Sequence, residues 1–280
     1  MNMWKKIQIA VLIFALAFAG VLAFVLISED FSVSVPVIEV PFFGDRDKAP
    51  NGQEDEVDAA NDFGPVGGMN HQYLQGETFS RAIIEVDNAD GANPRGAALD
   101  YLASQFRAYA DKPGGVARGG DNTFSSPQQD AYTAADIANI ARQNRANYSN
   151  GSTAVLHVIY LNGEFAGNEN ALAVAVNAST FAVFPEQINR ASTVPIFASN
   201  YERAVLVHEL GHLWGLVNIN YQSEIAHEDA GHLNHSNNPD SVMYWAVESL
   251  SVSDIFAGGP PDEFDDADEA DIENIKQGKY

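Results

Sequence analysis

The sequence predicts an α+β fold, a mixed sheet with a backing helix and one buried helix, behind an N-terminal membrane segment. Three observations carry this. Short apolar runs alternate with helical patterns between residues 81 and 184. Tyr201 to Leu216 is long enough for about four helical turns and apolar on nearly all sides, as a core helix is. The third is an uncharged run of 21 residues, Ile7 to Ile27, close to the roughly 20 that cross a bilayer core.

Taken in order, Lys5 and Lys6 precede that run and Glu29 and Asp30 follow it. This pattern predicts residues 1–6 in the cytoplasm, residues 7–27 as an uncleaved transmembrane signal anchor, and an exported body. Residues 28–43 are apolar and β-branched with Pro36 and Pro41, and residues 44–70 are rich in Gly, Asp, Asn, Glu and Pro. Residues 28–70 therefore read as a stalk and a disordered acidic linker, with the folded domain spanning residues 71–280.

Within that domain Arg81 to Val86 is an expected strand. Pro94 to Ala110 is an expected helix, with Leu99, Leu102, Phe106 and Tyr109 on one face. Residues 111–130, rich in Gly, Asn and Ser, read as a long loop. Thr133, with Asp136 three residues on, caps a helix expected to run to about Tyr148. Ala154–Leu161, Ala171–Val176 and Thr180–Phe184 read as strands, the first of the fully buried kind. Gly258, Gly259, Pro260 and Pro261 break regular structure. Ala267 to Gln277 then reads as a closing helix whose few apolar contacts are Ile272 and Ile275. Eight of residues 262–273 are acidic, and they read as a solvated face.

The chain carries 38 acidic and 15 basic residues and no cysteine, for a formal charge of −23. The charge argues against nucleic acid as a partner and against close approach of the body to an anionic membrane surface. Acid-rich, lysine-poor surfaces suit high salt, so a halophilic source is one reading and an ordinary acidic exported protein the other. Without cysteine there is neither a disulfide nor a lipoprotein anchor. Oligomeric state is not legible.

The chemistry concentrates in His208-Glu-Leu-Gly-His-Leu-Trp-Gly215. His208 and His212, four residues apart on a helix, share one face and can bind one zinc ion. Glu209 beside them is placed to take a proton from a water on that ion. Burying His, Glu and His in an apolar helix is costly unless a partner such as a metal satisfies them. Gly215 can take the left-handed conformation that ends a helix and turns the chain. The third ligand is open. His227 and His235 are candidates, as are the acids Glu224, Glu228 and Asp229, and Asn218. His232 reads as a surface residue, His157 as a hydrogen-bonded strand residue, and His71 stands in a polar stretch with no partner motif.

His-Glu-x-x-His-x-x-Gly with a later methionine turn resembles the metzincin zinc peptidases. In that pattern the third ligand falls three residues after the glycine, and this chain has Asn218 there. A second resemblance is to archaemetzincins, in which the third histidine is followed by Cys, four residues, Cys, one residue and Met. Residues 235–243, His-Ser-Asn-Asn-Pro-Asp-Ser-Val-Met, match that spacing, with Ser236 and Ser241 where those proteins have cysteines. The resemblance implies a metzincin-like (zincin) catalytic domain with one catalytic zinc ion held by His208, His212 and His235. It implies Glu209 as general base, Met243 beneath the metal and Tyr244 in the same turn, with a possible part in stabilising the oxyanion. Together with the N-terminal anchor it gives a membrane-anchored zinc endopeptidase, and the resemblance implies an extended peptide substrate paired with an edge strand. Two alternatives stay open: a gluzincin-like peptidase with an acidic third ligand, and an inactive membrane-tethered binding protein on the same fold.

Overall fold

The computed structural model describes residues 61–127, 129–192, 198–249 and 259–279. The apolar run 7–27 and the stalk lie outside these residues. Among the described residues no helix is long and apolar enough to cross a membrane.

The element order is α1 (Asn70–Leu74), β1 (Arg81–Ala89), α2 (Gly96–Tyr109), β2 (Val116–Arg118), β3 (Asn122–Phe124), β4 (Ala131–Tyr132), α3 (Ala134–Asn144), β5 (Thr153–Tyr160), β6 (Glu164–Phe165), β7 (Ala173–Ala175), β8 (Thr180–Val183), α4 (Pro185–Ala191) and α5 (Ala198–Leu213). A short 3-10 helix (Trp245–Glu248) and α6 (Asp266–Lys276) complete it. Six strands form one mixed sheet in the order β2-β1-β5-β8-β7, with β3 also on β1. β1 and β5 run parallel over eight paired residues, Arg81 opposite Thr153 through Asn88 opposite Tyr160. β8 is parallel to β5, and β7 turns back antiparallel on β8, so the sheet ends there on an antiparallel edge strand.

The central strands are continuous apolar runs because both faces are covered. From Ala154 to Tyr160 every residue of β5 is buried. The main exceptions to the apolar rule have polar partners. His157 Nε2 lies 3.0 Å from Asp87 Oδ2, and Glu85 accepts from the Asn147 amide at 2.8 Å. Helix α2 turns Leu99, Leu102, Ala103 and Phe106 into the core. Phe106 meets Tyr73 and Trp214 edge-on, at centroid separations of 5.8 and 5.6 Å. Burying a side chain of this size stabilises the fold by roughly 1.5–3 kcal/mol.

Helix α5 is buried along nearly its whole length. Even Glu202 is fully buried, and it survives there because Arg95 pairs with it and the Arg95 amide and Tyr160 Oη bond it at 2.9 and 3.0 Å. Tying Glu202 to β5 through Tyr160 and to Arg95 helps to set the position of the motif residues that follow on this helix.

Several expectations change. The folded chain reaches back to residue 61, so residues 61–70 are not linker. Asp62 is fully buried, bonded by the Ser149 amide and hydroxyl at 2.9 and 2.6 Å and paired with Arg145, and Met69 and Asn70 are buried too. The polar composition of this stretch is used for satisfied burial. The 111–130 segment is not all loop, because β2 and β3 lie parallel on the outer edge of β1. α3 keeps its Thr133–Asp136 capping box but ends at Asn144, where Arg145 turns to extended backbone. The acids of α6 are not all solvated. Asp268 and Asp271 are fully buried.

Candidate metal centre

Helix α5 presents His208 and His212 one turn apart, with ring centroids 4.5 Å from each other. The chain leaves the helix through Gly215 at φ 78°, followed by Val217 and Asn218 at φ 50° and 66°. It returns with His235, whose ring centroid lies 5.3 Å from that of His208 and 5.0 Å from that of His212. One ligating atom each from His208, His212, His235 and Glu248 lies within 4.8 Å of the others.

The donor set fits a zinc ion. His208 Nδ1 donates to the Val242 carbonyl at 2.7 Å, and His235 Nδ1 donates to the Leu233 carbonyl at 2.9 Å. Each bond fixes the tautomer that leaves Nε2 with a free lone pair. Both of those Nε2 atoms are buried with no hydrogen-bond partner. Two buried Nε2 atoms in one cluster, with a third imidazole beside them, are costly unless a cation takes them; without a metal a proton serves on His235, where burial is outweighed by Glu248 and the pKa is raised.

Glu209 is fully buried, and among the described residues neither of its oxygens has a partner in hydrogen-bond geometry. Its pKa is pushed well above the usual carboxylate range, first by burial and then by the charge of Glu248, with the Ala175 amide of β7 working against both. His212 is held well below the ordinary histidine value, first by burial and then by His208 and His235, so it keeps one ring nitrogen unprotonated. Burial opposes the ionisation of Glu248, but His235 and His208 outweigh it and hold its pKa well below the ordinary value.

Met243 is fully buried directly against α5. A Cβ on Gly211 would clash with Met243 Sδ and come within 3.1 Å of Phe264. Gly211, between the motif residues, is thus required by the methionine that packs there. Gly211→Ala is expected to lower stability despite its better helix propensity, because overpacking costs roughly 1–3 kcal/mol against about 1 kcal/mol gained. Thermal melts read the effect, and Met243→Ala in the same chain should restore part of it. Tyr244 is half-buried in the same turn, with its ring 5.6 Å from that of Trp245.

The other candidates lie elsewhere. Asn218 faces the loop, where its amide donates to Glu228 at 2.9 Å and its oxygen accepts from the Ser223 amide at 2.9 Å. Glu228 in turn accepts from the Asn234 amide at 2.8 Å, so Asn218 and Glu228 together brace the segment that carries His235. Glu224 is exposed and paired with Lys279, and Asp229 binds the Gly231 and His232 amides. His232 is exposed and stacks on Trp245 at 4.0 Å. His71 bonds Gln75 at 2.9 Å. Ser236 and Ser241 use their hydroxyls to fix the methionine turn, at 3.1 Å to the Asn238 amide and 2.8 Å to the Met243 amide.

His227 belongs to a second cluster. Its Nε2 lies 3.0 Å from Asp271 Oδ2, and its Nδ1 lies 3.6 Å from Asp268 Oδ1. Burial first, then the Asp265 charge, lift Asp268 to a pKa of about 7 against the Ser241 bond. Burial opposes protonation of His227, but its bond to Asp271 and the charges of Asp271, Asp268 and Asp265 raise its pKa overall. Both groups hold protons more tightly folded than unfolded. Asp268 therefore loses stability as pH rises from its unfolded value of 3.8 to about 7, and His227 loses it as pH rises above its unfolded 6.5. Urea unfolding of the metal-depleted chain should show stability falling with pH over this window, with a limiting slope of about 1.4 kcal/mol per pH unit per proton. Asp268→Asn should flatten the slope, and an unchanged slope would contradict this origin.

Sequence reading did not single out Glu248. The available signal was one acid after Ala246 and Val247, both of which are buried. It also missed that Asp268 and Asp271 would be buried opposite His227.

No protein-family profile matches the chain, and no curated protein does. Among solved structures, archaemetzincin from Methanopyrus kandleri aligns over 70% of this chain and 97% of its own, at 17% identity and a TM-score of 0.49. A similarity at that level assigns neither activity nor ligand.

Proposed function

We propose that this chain is a zinc-dependent endopeptidase, tethered to the membrane by residues 7–27 with its folded domain on the exported side. The observation that supports it most is the convergence of His208, His212 and His235 beside a buried carboxylate, Glu209, whose oxygens have no partner in hydrogen-bond geometry among the described residues. A purely structural role for the motif gives that carboxylate no use, and burying it unpaired is expensive.

In this reading His208, His212 and His235 hold the metal, and Glu209 is the general base. A bound zinc ion would polarise the scissile carbonyl and acidify the attacking water. Glu209 takes the proton of that water and passes it to the leaving amine. The positive charge of a zinc ion beside it would oppose the burial and the Glu248 charge that raise its pKa, so that the group can start ionised, take the proton and return it. Met243 packs beneath the ligands through Gly211, and Tyr244 is the nearest candidate for oxyanion support in that turn. The substrate is an extended peptide added as a strand alongside β7, whose Ala175 amide already faces Glu209. The acidic body repels nucleic acid and favours no such partner.

Cleavage of an unfolded protein by the purified chain should vanish when a chelator removes the metal and return when zinc is restored. Cleavage that survives metal removal would defeat the zinc reading. A folded chain that binds no zinc when zinc is supplied would favour a tethered binding protein.

A further inference from the structure

Glu248 stands where neither the motif nor the methionine turn calls for a residue. Its Oε2 lies 3.6 Å from His208 Nε2 and its Oε1 lies 3.5 Å from His235 Nε2, the two atoms left free by the tautomers described above. Its backbone is held as firmly as its side chain. The Glu248 carbonyl accepts from the Leu172 amide at 2.9 Å, and Ser249 bridges Ala171 in antiparallel fashion. Ala171 and Leu172 lead directly into β7, the edge strand whose Ala175 amide faces Glu209. The 3-10 helix Trp245–Glu248 therefore brings a carboxylate to the three imidazoles while its end pairs with the approach to the edge strand.

Resting on the zinc reading above, we propose that Glu248 is a fourth protein ligand of the metal and that the Trp245–Ser249 segment is a built-in plug. Its carboxylate takes the coordination position that a water must occupy for hydrolysis, and its backbone takes the start of the strand-addition track. Catalytic zinc sites keep one position open, whereas four protein ligands close the site. A carboxylate whose two oxygens each approach an imidazole Nε2 that has no hydrogen bond among the described residues has the chemistry of such a ligand. The partial exposure of the Glu248 side chain, at 27%, leaves it free to withdraw. Activation then consists of replacing one carboxylate–metal bond and the Leu172 and Ala171 pairing with the corresponding contacts of a substrate. The chain's lack of cysteine is compatible with this, since the blocking group is a carboxylate.

The test compares the full-length chain with Glu248→Gln and Glu248→Asp. Zinc affinity is measured by competition with a chromophoric chelator, and the cobalt(II)-substituted proteins are titrated with acetohydroxamate while their visible spectra are followed. If Glu248 closes the site, the parent spectrum barely responds to acetohydroxamate. Both variants respond strongly, bind zinc at least about tenfold more weakly, and cleave unfolded protein faster. Glu248→Asp guards against misfolding, because it keeps the charge and shortens the reach. Equal zinc affinity and equal spectral response in parent and variants would overturn the proposal, as would variants with parental zinc affinity and reduced cleavage, which would make Glu248 a group acting on substrate. Failure of the zinc reading itself looks different: neither parent nor variants bind zinc or cobalt.

Discussion

Glu209→Gln removes peptide cleavage and leaves the zinc ion in place. Glutamine keeps the shape of the side chain but cannot take a proton, and general-base catalysis of this kind contributes about 10²–10⁴-fold. The loss should fall on kcat with KM little changed, because the group acts on the proton in flight rather than on the bound peptide. Metal content should equal that of the parent, since Glu209 is outside the cluster of ligating atoms. Stability should not suffer, because the substitution exchanges a fully buried carboxylate without partners for a neutral amide. Measured turnover within a small factor of the parent would remove Glu209 from the mechanism and with it the peptidase reading.

His235→Ala is expected to strip the metal, whereas His227→Ala and Asn218→Ala keep it. His235 Nε2 is buried in the cluster with the motif histidines and Glu248, while both nitrogens of His227 face Asp271 and Asp268 of α6. Loss of a direct ligand should weaken zinc by more than the roughly 10–100-fold that loss of an outer partner costs. The His227 change acts elsewhere: it leaves Asp268 and Asp271 buried without their cation and should lower the melting temperature at neutral pH. Metal analysis of the three variants separates these effects. Zinc lost with His227→Ala and retained with His235→Ala would reverse the assignment of the third ligand.

How far these features could be read from the sequence follows from how local each signal is. The α5 helix and its two histidines are specified within one stretch, by apolar residues on every side and a four-residue spacing. The capping box of α3 lies within four residues, Thr133 to Asp136. The β5 strand is a continuous apolar run. The short strands β2 and β3 carry no such pattern. They are three residues each in a Gly- and Asn-rich segment, and only their pairing with β1 makes them strands. Residues 61–70 look like linker because Asp62 is an acid, and its burial depends on Arg145 and Ser149 far along the chain. For the same reason no local feature separates His227 from His235. The difference lies in which of them meets the acids of α6, a tertiary fact. Only the spacing from His235 to Met243 bore on the choice. Glu248 had no motif at all, because its meaning comes from the strand it joins and the imidazoles it approaches.

The order in which the chain is made gives the sheet a further consequence. Every strand of it precedes His208 in the sequence, and its central pair joins residues 81–88 to residues 153–160. That pairing closes a long loop and forms slowly relative to local contacts, but it needs nothing from the last quarter of the chain. During N-to-C synthesis the sheet can therefore assemble while the metal-binding segment is still being made. The ligands then arrive in the sequence His208, His212, His235 and Glu248, with the carboxylate last. Metal loading is thus a finishing event on a scaffold already built, and the group that would seal the centre is the final one to reach it.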